Sequence, residues 1–217
     1  YGVVAAITPW NSPLTMEAQK VAPALGAGNA VILKPSEVTP SAALLLGQAV
    51  LDAGIPAGIL NVIPGTGAVA GDALVRHPGV RFVSFTGGTA SGRRIAMIAS
   101  EKLMPVALEL GGKSPHIVFA DADLDAAAAA VADGIFEGSG QSCVAGSRLF
   151  IERPVYDRVL ALVADRARGL RLDLPDAPGA RLGPLATFAH RERVERFVDS
   201  ARTEGGVIVT GGARPGD

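Results

Sequence analysis

The hydrophobic positions follow two rhythms that trade places along the first hundred residues. Val3-Val-Ala-Ala-Ile7 is continuously apolar, the pattern of a strand covered on both faces of a parallel sheet. From Leu14 the apolar residues Ala18, Val21, Ala22 and Leu25 recur at helical spacing, and Gly26 and Gly28 stop the run. Ala30-Val-Ile-Leu33 predicts a second buried strand and residues 41–53 a second helix. Leu60-Asn-Val-Ile63 leads through Gly65-Thr-Gly67-Ala-Val-Ala-Gly71 into a helix reaching Arg76. Arg81-Phe-Val-Ser-Phe85 leads through Thr86-Gly-Gly88 into another. Four rounds of strand, loop and helix imply right-handed crossovers and a doubly wound α/β sheet.

The rhythm changes after Val106-Ala-Leu-Glu-Leu110, a strand broken by Gly111 and Gly112. Extended structure resumes over 116–119. An alanine-rich helix follows over 121–135, with acidic residues in its first turn that suit both propensity and the helix dipole. A strand is predicted over 148–152 and a helix over 154–168 with proline in its first turn. A Pro/Gly/Asp loop spans 170–185, a helix 187–204 and a last strand 207–210. The chain opens directly in a strand at Tyr1, without an initiator methionine, and stops just after a strand and turn, so it reads as part of a longer protein.

Composition narrows the possible partners. With 217 residues, 48% of them hydrophobic, the chain can bury a substantial core. A formal net charge of −1 without a run of five like charges offers no electrostatic footprint for nucleic acid or an anionic membrane. Gly, Pro or charge interrupts every apolar run before it reaches the length of a membrane span, and no secretory signal opens the chain. A single cysteine excludes an intrachain disulfide, and the lack of Cys-x-x-Cys excludes a zinc ribbon. The expected compartment is a reducing cytoplasm.

In doubly wound sheets ligands bind beyond the carboxyl ends of the strands. The chemistry-bearing residues of the first hundred positions collect there, in Pro9-Trp-Asn11, Lys34-Pro-Ser-Glu37, the Gly65–Gly71 stretch and Thr86-Gly-Gly88. Lys34 suits a phosphate or ribose oxygen and Glu37 suits ribose hydroxyls, with a solvated, helix-capping turn as the plainer reading. Gly65-x-Gly67-x-x-x-Gly71 could hold a phosphate on its amides, although its spacing departs from G-x-G-x-x-G and a glycine turn also accounts for it. Asn11 is either an amide donor to a developing oxyanion or part of an Asn-Ser-Pro turn. Glu109 is a carboxylate inside an otherwise apolar strand. Buried, it needs a partner or a raised pKa, and the latter would make it a general base. Cys143, the only cysteine, lies in Gly138-Ser-Gly-Gln-Ser-Cys143-Val-Ala-Gly-Ser-Arg148, where small neighbours leave the sulfur approachable. It is a candidate nucleophile, against the alternative of an incidental thiol. His77, His116 and His190 show no metal-ligand spacing and are read as satisfied histidines, so no metal is expected.

Taken together and in order, Pro9-Trp-Asn11, Lys34-Pro-Ser-Glu37, Phe85-Thr-Gly-Gly88, Glu109-Leu-Gly-Gly-Lys-Ser-Pro115 and Gly140-Gln-Ser-Cys143 resemble the NAD(P)-dependent aldehyde dehydrogenase superfamily. The similarity runs from Tyr1 to about Phe197 and corresponds to the middle of a family member about twice as long. The resemblance implies a Rossmann-like NAD(P)-binding domain over 1–111, followed by the first part of an aldehyde dehydrogenase-like α/β catalytic domain over 112–217. It implies that Cys143 attacks the aldehyde carbon to give a thiohemiacetal whose oxyanion is held by the Asn11 amide and the Cys143 N–H. Hydride transfer to nicotinamide then leaves a thioester, which Glu109 hydrolyses by activating water; that glutamate favours release of an acid over an acyl-CoA. Lys34 and Glu37 match residues gripping the adenosine ribose, and the glutamate tilts the cofactor towards NAD, with NADP as the alternative. Ile7, Pro9, Trp10, Ser36, Gly67, Gly71, Phe85, Thr86, Gly87, Gly88 and Leu110 match positions lining the cofactor cleft.

Two positions depart from the family pattern. Gly88 stands where serine is common and His190 where glutamine is frequent. The family's Glu-x-x-Gly-Pro segment does not occur. The implied protein is a cytoplasmic homo-oligomer acting on a small-molecule aldehyde. Two rivals stand beside it: a cysteine-dependent esterase or thioesterase using Cys143 and Glu109 without nucleotide, and a catalytically incomplete fragment.

Overall fold

Val3–Ile7 forms β1, and its alanines explain its place at the centre: Ala5 and Ala6 are fully buried, one facing each side of the sheet. Small residues there let helices close on both faces. In the computed structural model, which describes residues 1–214, the chain divides into two compact units, Tyr1–Gly111 and the remainder from Gly112 onward. In the first unit β2 (Ala30–Lys34), β3 (Leu60–Val62), β4 (Phe82–Gly87) and β5 (Val106–Leu110) join β1 in an all-parallel sheet of order β3-β2-β1-β4-β5. Helices α1 (Pro13–Gly26) and α2 (Ser41–Asp52) cover one face, over a core of Ala6, Val21, Val31, Leu33 and Ala43. The other face packs Ala5, Val83 and Phe85 against α3 (Asp72–Arg76) and α4 (Thr89–Glu101), through Leu74, Val75, Ile95 and Ile98. This is the doubly wound, Rossmann-like arrangement.

The strand order reverses between β1 and β4, so the connections leave β1 and β4 in opposite directions and a crevice opens at their carboxyl ends. Register carries the ends into line: Ile7 pairs with Lys34 on one side and Phe85 on the other, and Thr86 pairs with Glu109. The Gly65–Gly71 stretch differs from a simple helix start, since Gly67–Gly71 makes a π-helical turn before α3 begins at Asp72.

The second unit holds a two-stranded parallel sheet, β6 (Pro115–Val118) and β7 (Arg148–Ile151), with α5 (Leu124–Phe136), α6 (Tyr156–Arg168) and α7 (Phe188–Thr203). Val118, Leu124, Val131 and Val159 form its core. The alanine-rich helix begins three residues later than its composition suggests. Asp123 is its N-cap, accepting from the amides of Asp125 and Ala126, because a short carboxylate stabilises orphan amides best from the cap position. Among the described residues the predicted strand over 207–210 does not form. Val207 and Val209 are exposed, and a strand exists only where a neighbour completes its ladder, which this segment does not have. Helix α7 buries no residue.

Candidate active site

The first unit presents its candidates around the carboxyl ends of β1, β2, β4 and β5. Lys34 closes β2 and is 3% exposed, which sets aside the solvated-turn alternative. Its ammonium donates to the carbonyls of Pro35 at 2.6 Å and Gly65 at 2.8 Å, with the Glu37 carboxylate 3.8 Å away. Burial pulls its pKa down and Glu37 partly restores it. Lys34 thus ties the end of β2 to the glycine stretch, and Gly71 packs on its stem: a Cβ there would lie 3.6 Å from Lys34 Cδ. Ser36 is buried and its hydroxyl accepts from the Val38 amide, which turns the chain so that Glu37 stands exposed.

Beyond β1, Pro9, Trp10 and Asn11 are half-buried, and the Trp10 carbonyl accepts from the Thr39 hydroxyl at 3.3 Å. Ser12 follows with φ +60°, a left-handed conformation that turns the chain sharply from the strand end into α1. Beyond β4, the Phe85 ring folds over Gly87, where a Cβ would come within 2.5 Å of it, and Leu110 fills the space beside Gly92. No side chain caps α4 at Gly88. The hydroxyls of Thr8 and Thr86 are buried without a hydrogen-bond partner. The residues present fit a dinucleotide: an uncapped helix start, backbone open to close approach at Gly67 and Gly88, and shielded hydroxyls at the β1 and β4 ends.

Glu109 departs from the expectation of a buried carboxylate. It is exposed, because β5 is the edge strand and alternation sends Val106, Leu108 and Leu110 to the α3–α4 core while Ala107 and Glu109 face the opposite side. That face brings in a residue the sequence reading passed over. Lys20 of α1 is buried, donates to Ser84 Oγ at 3.1 Å, and feels the Glu109 charge. Burial lowers the Lys20 pKa and Glu109 offsets part of that effect. Beside it on α1, Glu17 is completely buried with both carboxylate oxygens unpartnered, and desolvation raises its pKa. The helical spacing of Glu17, Lys20 and Val21 was the available signal, since polar residues on the apolar face of a helix need a reason to be there.

In the second unit Cys143 is an exposed free thiol on the segment between α5 and β7. Three successive residues before it, Gly138, Ser139 and Gly140, have φ of 59°, 58° and 72°. Such a bend suits glycine, and at Ser139 the strain is offset locally. The Ser139 hydroxyl donates to the Gly183 carbonyl at 3.2 Å and accepts from the Gly183 amide at 2.9 Å. Gln141 Oε1 accepts from the Ala186 amide at 2.9 Å. After the bend, Ser142 opens a turn, accepting from the Ala145 amide on its carbonyl. Backbone approaches closely on the other flank, where a Cβ on Gly112 would lie 3.0 Å from the Cys143 carbonyl. His116, read in sequence as a satisfied histidine, has a shielded Nε2 with no hydrogen-bond partner.

The whole chain, residues 1–217, matches the aldehyde dehydrogenase family. It is 49% identical over 214 residues to 3,6-anhydro-alpha-L-galactose dehydrogenase of Streptomyces coelicolor, covering 99% of this chain and 44% of that protein. It is 43% identical to betaine aldehyde dehydrogenase of Bacillus subtilis, over 100% of this chain and 44% of the relative. Among solved structures, PnpE in complex with nicotinamide adenine dinucleotide superimposes with a TM-score of 0.97 at 43% identity, covering 100% of this chain and 44% of PnpE. The chain therefore spans less than half the length of these relatives, and it belongs to the aldehyde dehydrogenase family.

Proposed function

We propose that the protein oxidises an aldehyde to its carboxylic acid with NAD, or alternatively NADP, through covalent chemistry on Cys143. The observation that carries this reading is an exposed thiol on a tightly braced glycine-rich turn, in a chain that also carries dinucleotide-shaped strand ends. In this reading residues 1–111 bind NAD(P) and residues 112–217 supply the nucleophile. Lys34 and Glu37 meet the adenosine ribose, and Ser36 belongs to the cofactor cleft. Ile7, Pro9, Trp10, Gly67, Gly71, Phe85, Thr86, Gly87, Gly88 and Leu110 line the cofactor cleft.

The chain's own residues perform the covalent steps. The Cys143 thiolate adds to the aldehyde carbon, and the new oxyanion accepts hydrogen bonds from the Asn11 amide and the Cys143 N–H. Bound nicotinamide supplies a hydride acceptor at this centre. Glu109 then takes a proton from the water that attacks the acyl carbon, the carbon–sulfur bond breaks, and the acid and the Cys143 thiolate result. Lys20 of α1 lies close enough to feel the Glu109 charge. The two relatives are named for 3,6-anhydro-alpha-L-galactose and for betaine aldehyde, so the proposal stops at the aldehyde class. A cytoplasmic homo-oligomer completes the reading, supported by the single cysteine and the family.

The test is absorbance at the reduced-nicotinamide band for the full-length protein, with an aldehyde panel plus NAD or NADP, beside Cys143→Ala. NADH or NADPH formation that disappears in the variant supports the proposal. Cys143-dependent ester hydrolysis that ignores nucleotide, with no reduction for any aldehyde, would overturn it in favour of a hydrolase.

A further inference from the structure

We propose that His116 is a positioning residue for the Cys143 thiol, a wedge on β6 that braces the far end of the turn carrying it. The inference rests on the proposed role of Cys143 and names a residue that this role does not itself require. Two glycines build the slot. Gly134 interrupts the apolar, alanine-rich sequence of α5 at the position where a Cβ would lie 2.7 Å from His116 Cε1. Alanine is the better helix former, so glycine there is explained by the ring that occupies the Cβ space. Gly146, three residues after Cys143, would place a Cβ 1.8 Å from His116 Nε2, overlapping the ring. Its φ lies outside the left-handed region, so backbone conformation does not demand glycine. The imidazole does.

The slot is closed by a hydrogen bond from the Gly146 amide to the Gly134 carbonyl at 3.0 Å, which also satisfies an acceptor near the end of α5. His116 is itself fixed by strand register, opposite Leu149 of β7. Its Nε2 is shielded and finds no hydrogen-bond partner, so the ring acts on Gly146 by shape. From this anchor the chain runs back through buried Ala145, whose amide donates to the Ser142 carbonyl across the turn that contains Cys143. With Gly112 against the Cys143 carbonyl on the other flank, the turn is gripped at both ends. Removing the wedge frees one of them, and the sulfur samples a wider range of positions.

The experiment measures the second-order rate of Cys143 alkylation by iodoacetamide, and kcat and KM for aldehyde oxidation, in the full-length protein. His116→Ala is expected to slow alkylation and lower kcat by about 10- to 100-fold, on the scale of a misplacement of about 1 Å, with KM for NAD unchanged. Gly146→Ala alone is expected to slow both by clashing with the ring. The double variant His116→Ala/Gly146→Ala should recover much of the loss, because the new methyl occupies the vacated slot. A residue that only stabilises the fold would lower the unfolding midpoint and leave these rates intact well below it. Wild-type alkylation in folded His116→Ala, or a double variant no better than either single, would sink the proposal. Should His116→Ala fail to fold, His116→Val takes its place, and wild-type alkylation in it overturns the proposal equally. The alkylation arm reads the wedge even if Cys143→Ala retains aldehyde oxidation, so failure of the positioning role and failure of the catalytic role give different results.

Discussion

The two units hold their reactive groups by different means. In Tyr1–Gly111 the candidates sit at the rim of a five-stranded sheet covered on both faces, and strand register sets their positions to within a residue. From Gly112 onward the sheet has two strands, and Cys143 sits on a turn whose shape comes from glycines, a left-handed serine and side-chain contacts to backbone. A rim built by register tolerates change in any one side chain, since the ladder hydrogen bonds do not depend on it. A turn built from contacts depends on each of them. The strand-end candidates of the first unit should therefore keep their positions through local substitution, while the thiol of the second should respond to changes several residues away.

The largest effect should come from opening the core of the first unit. Leu33→Ala, at a fully buried position, should cost about 2–5 kcal/mol in urea unfolding. Leu124→Ala, in the smaller core of the second unit and 8% exposed, should fall at the low end of that range. Equal losses would erase the energetic contrast between the units.

Next is the carboxylate buried in the first unit. The Glu17 pKa is raised above the ordinary 4.5 by desolvation, so the folded state holds the proton more tightly than the unfolded one. Stability therefore declines as pH rises above about 4.5 and levels off beyond the raised value. Glu17→Met removes two oxygens that have no hydrogen-bond partner, at similar volume. It should raise the unfolding midpoint more at pH 8 than at pH 4. An equal gain at both pH values would show that charge is not what Glu17 costs.

A smaller effect tests the second unit's helix. Asp123→Ala, which loses the cap on α5, should cost about 1 kcal/mol in the same unfolding assay. If α5 also anchors the Cys143 turn through Gly134, the variant should slow iodoacetamide alkylation slightly as well. The smallest effect lies on the surface of the first unit. Asp72 accepts from Arg76 at 2.7 Å and Arg94 at 2.9 Å, and these bonds hold its pKa below the ordinary 3.8. The sign is opposite to that of Glu17: the contribution is present above pH 3.8 and is lost as pH falls through the lowered value. Asp72→Asn should shift the midpoint slightly at pH 7, with the shift shrinking as pH falls below 3.8, and a shift that does not shrink with falling pH would exclude the charge as its source.

Much of this was legible because local rules and global fold agree. Continuous apolar runs such as Val3–Ile7 become strands buried on both faces. The glycine- and charge-bearing ends that follow them mark the crevice, because a parallel sheet places ligands at strand ends. The ordered set of motifs from Pro9-Trp-Asn11 to Gln141-Ser-Cys143 pointed to the family without any coordinate. The errors share one cause, a dependence on neighbours that sequence does not display. Glu109 looked buried because its strand is apolar, yet β5 is the edge strand and leaves this side chain exposed on the α1 side of the sheet. Residues 207–210 have the composition of a strand and, among the described residues, no neighbouring strand to pair with. Of the two readings open for Lys34, the solvated turn does not hold, because the side chain is buried with its ammonium on the Pro35 and Gly65 carbonyls.

Sequence alone determined the alternation of elements, the parallel sheet, the family and the identity of the candidate thiol, since each follows from periodicity or from residue types in order. Tertiary structure decided which faces are covered, that Glu17 and Lys20 of α1 are buried, and that His116 fills the space left by Gly134 and Gly146. Periodicity says which residues share a face. Only packing of one element on another says what that face meets.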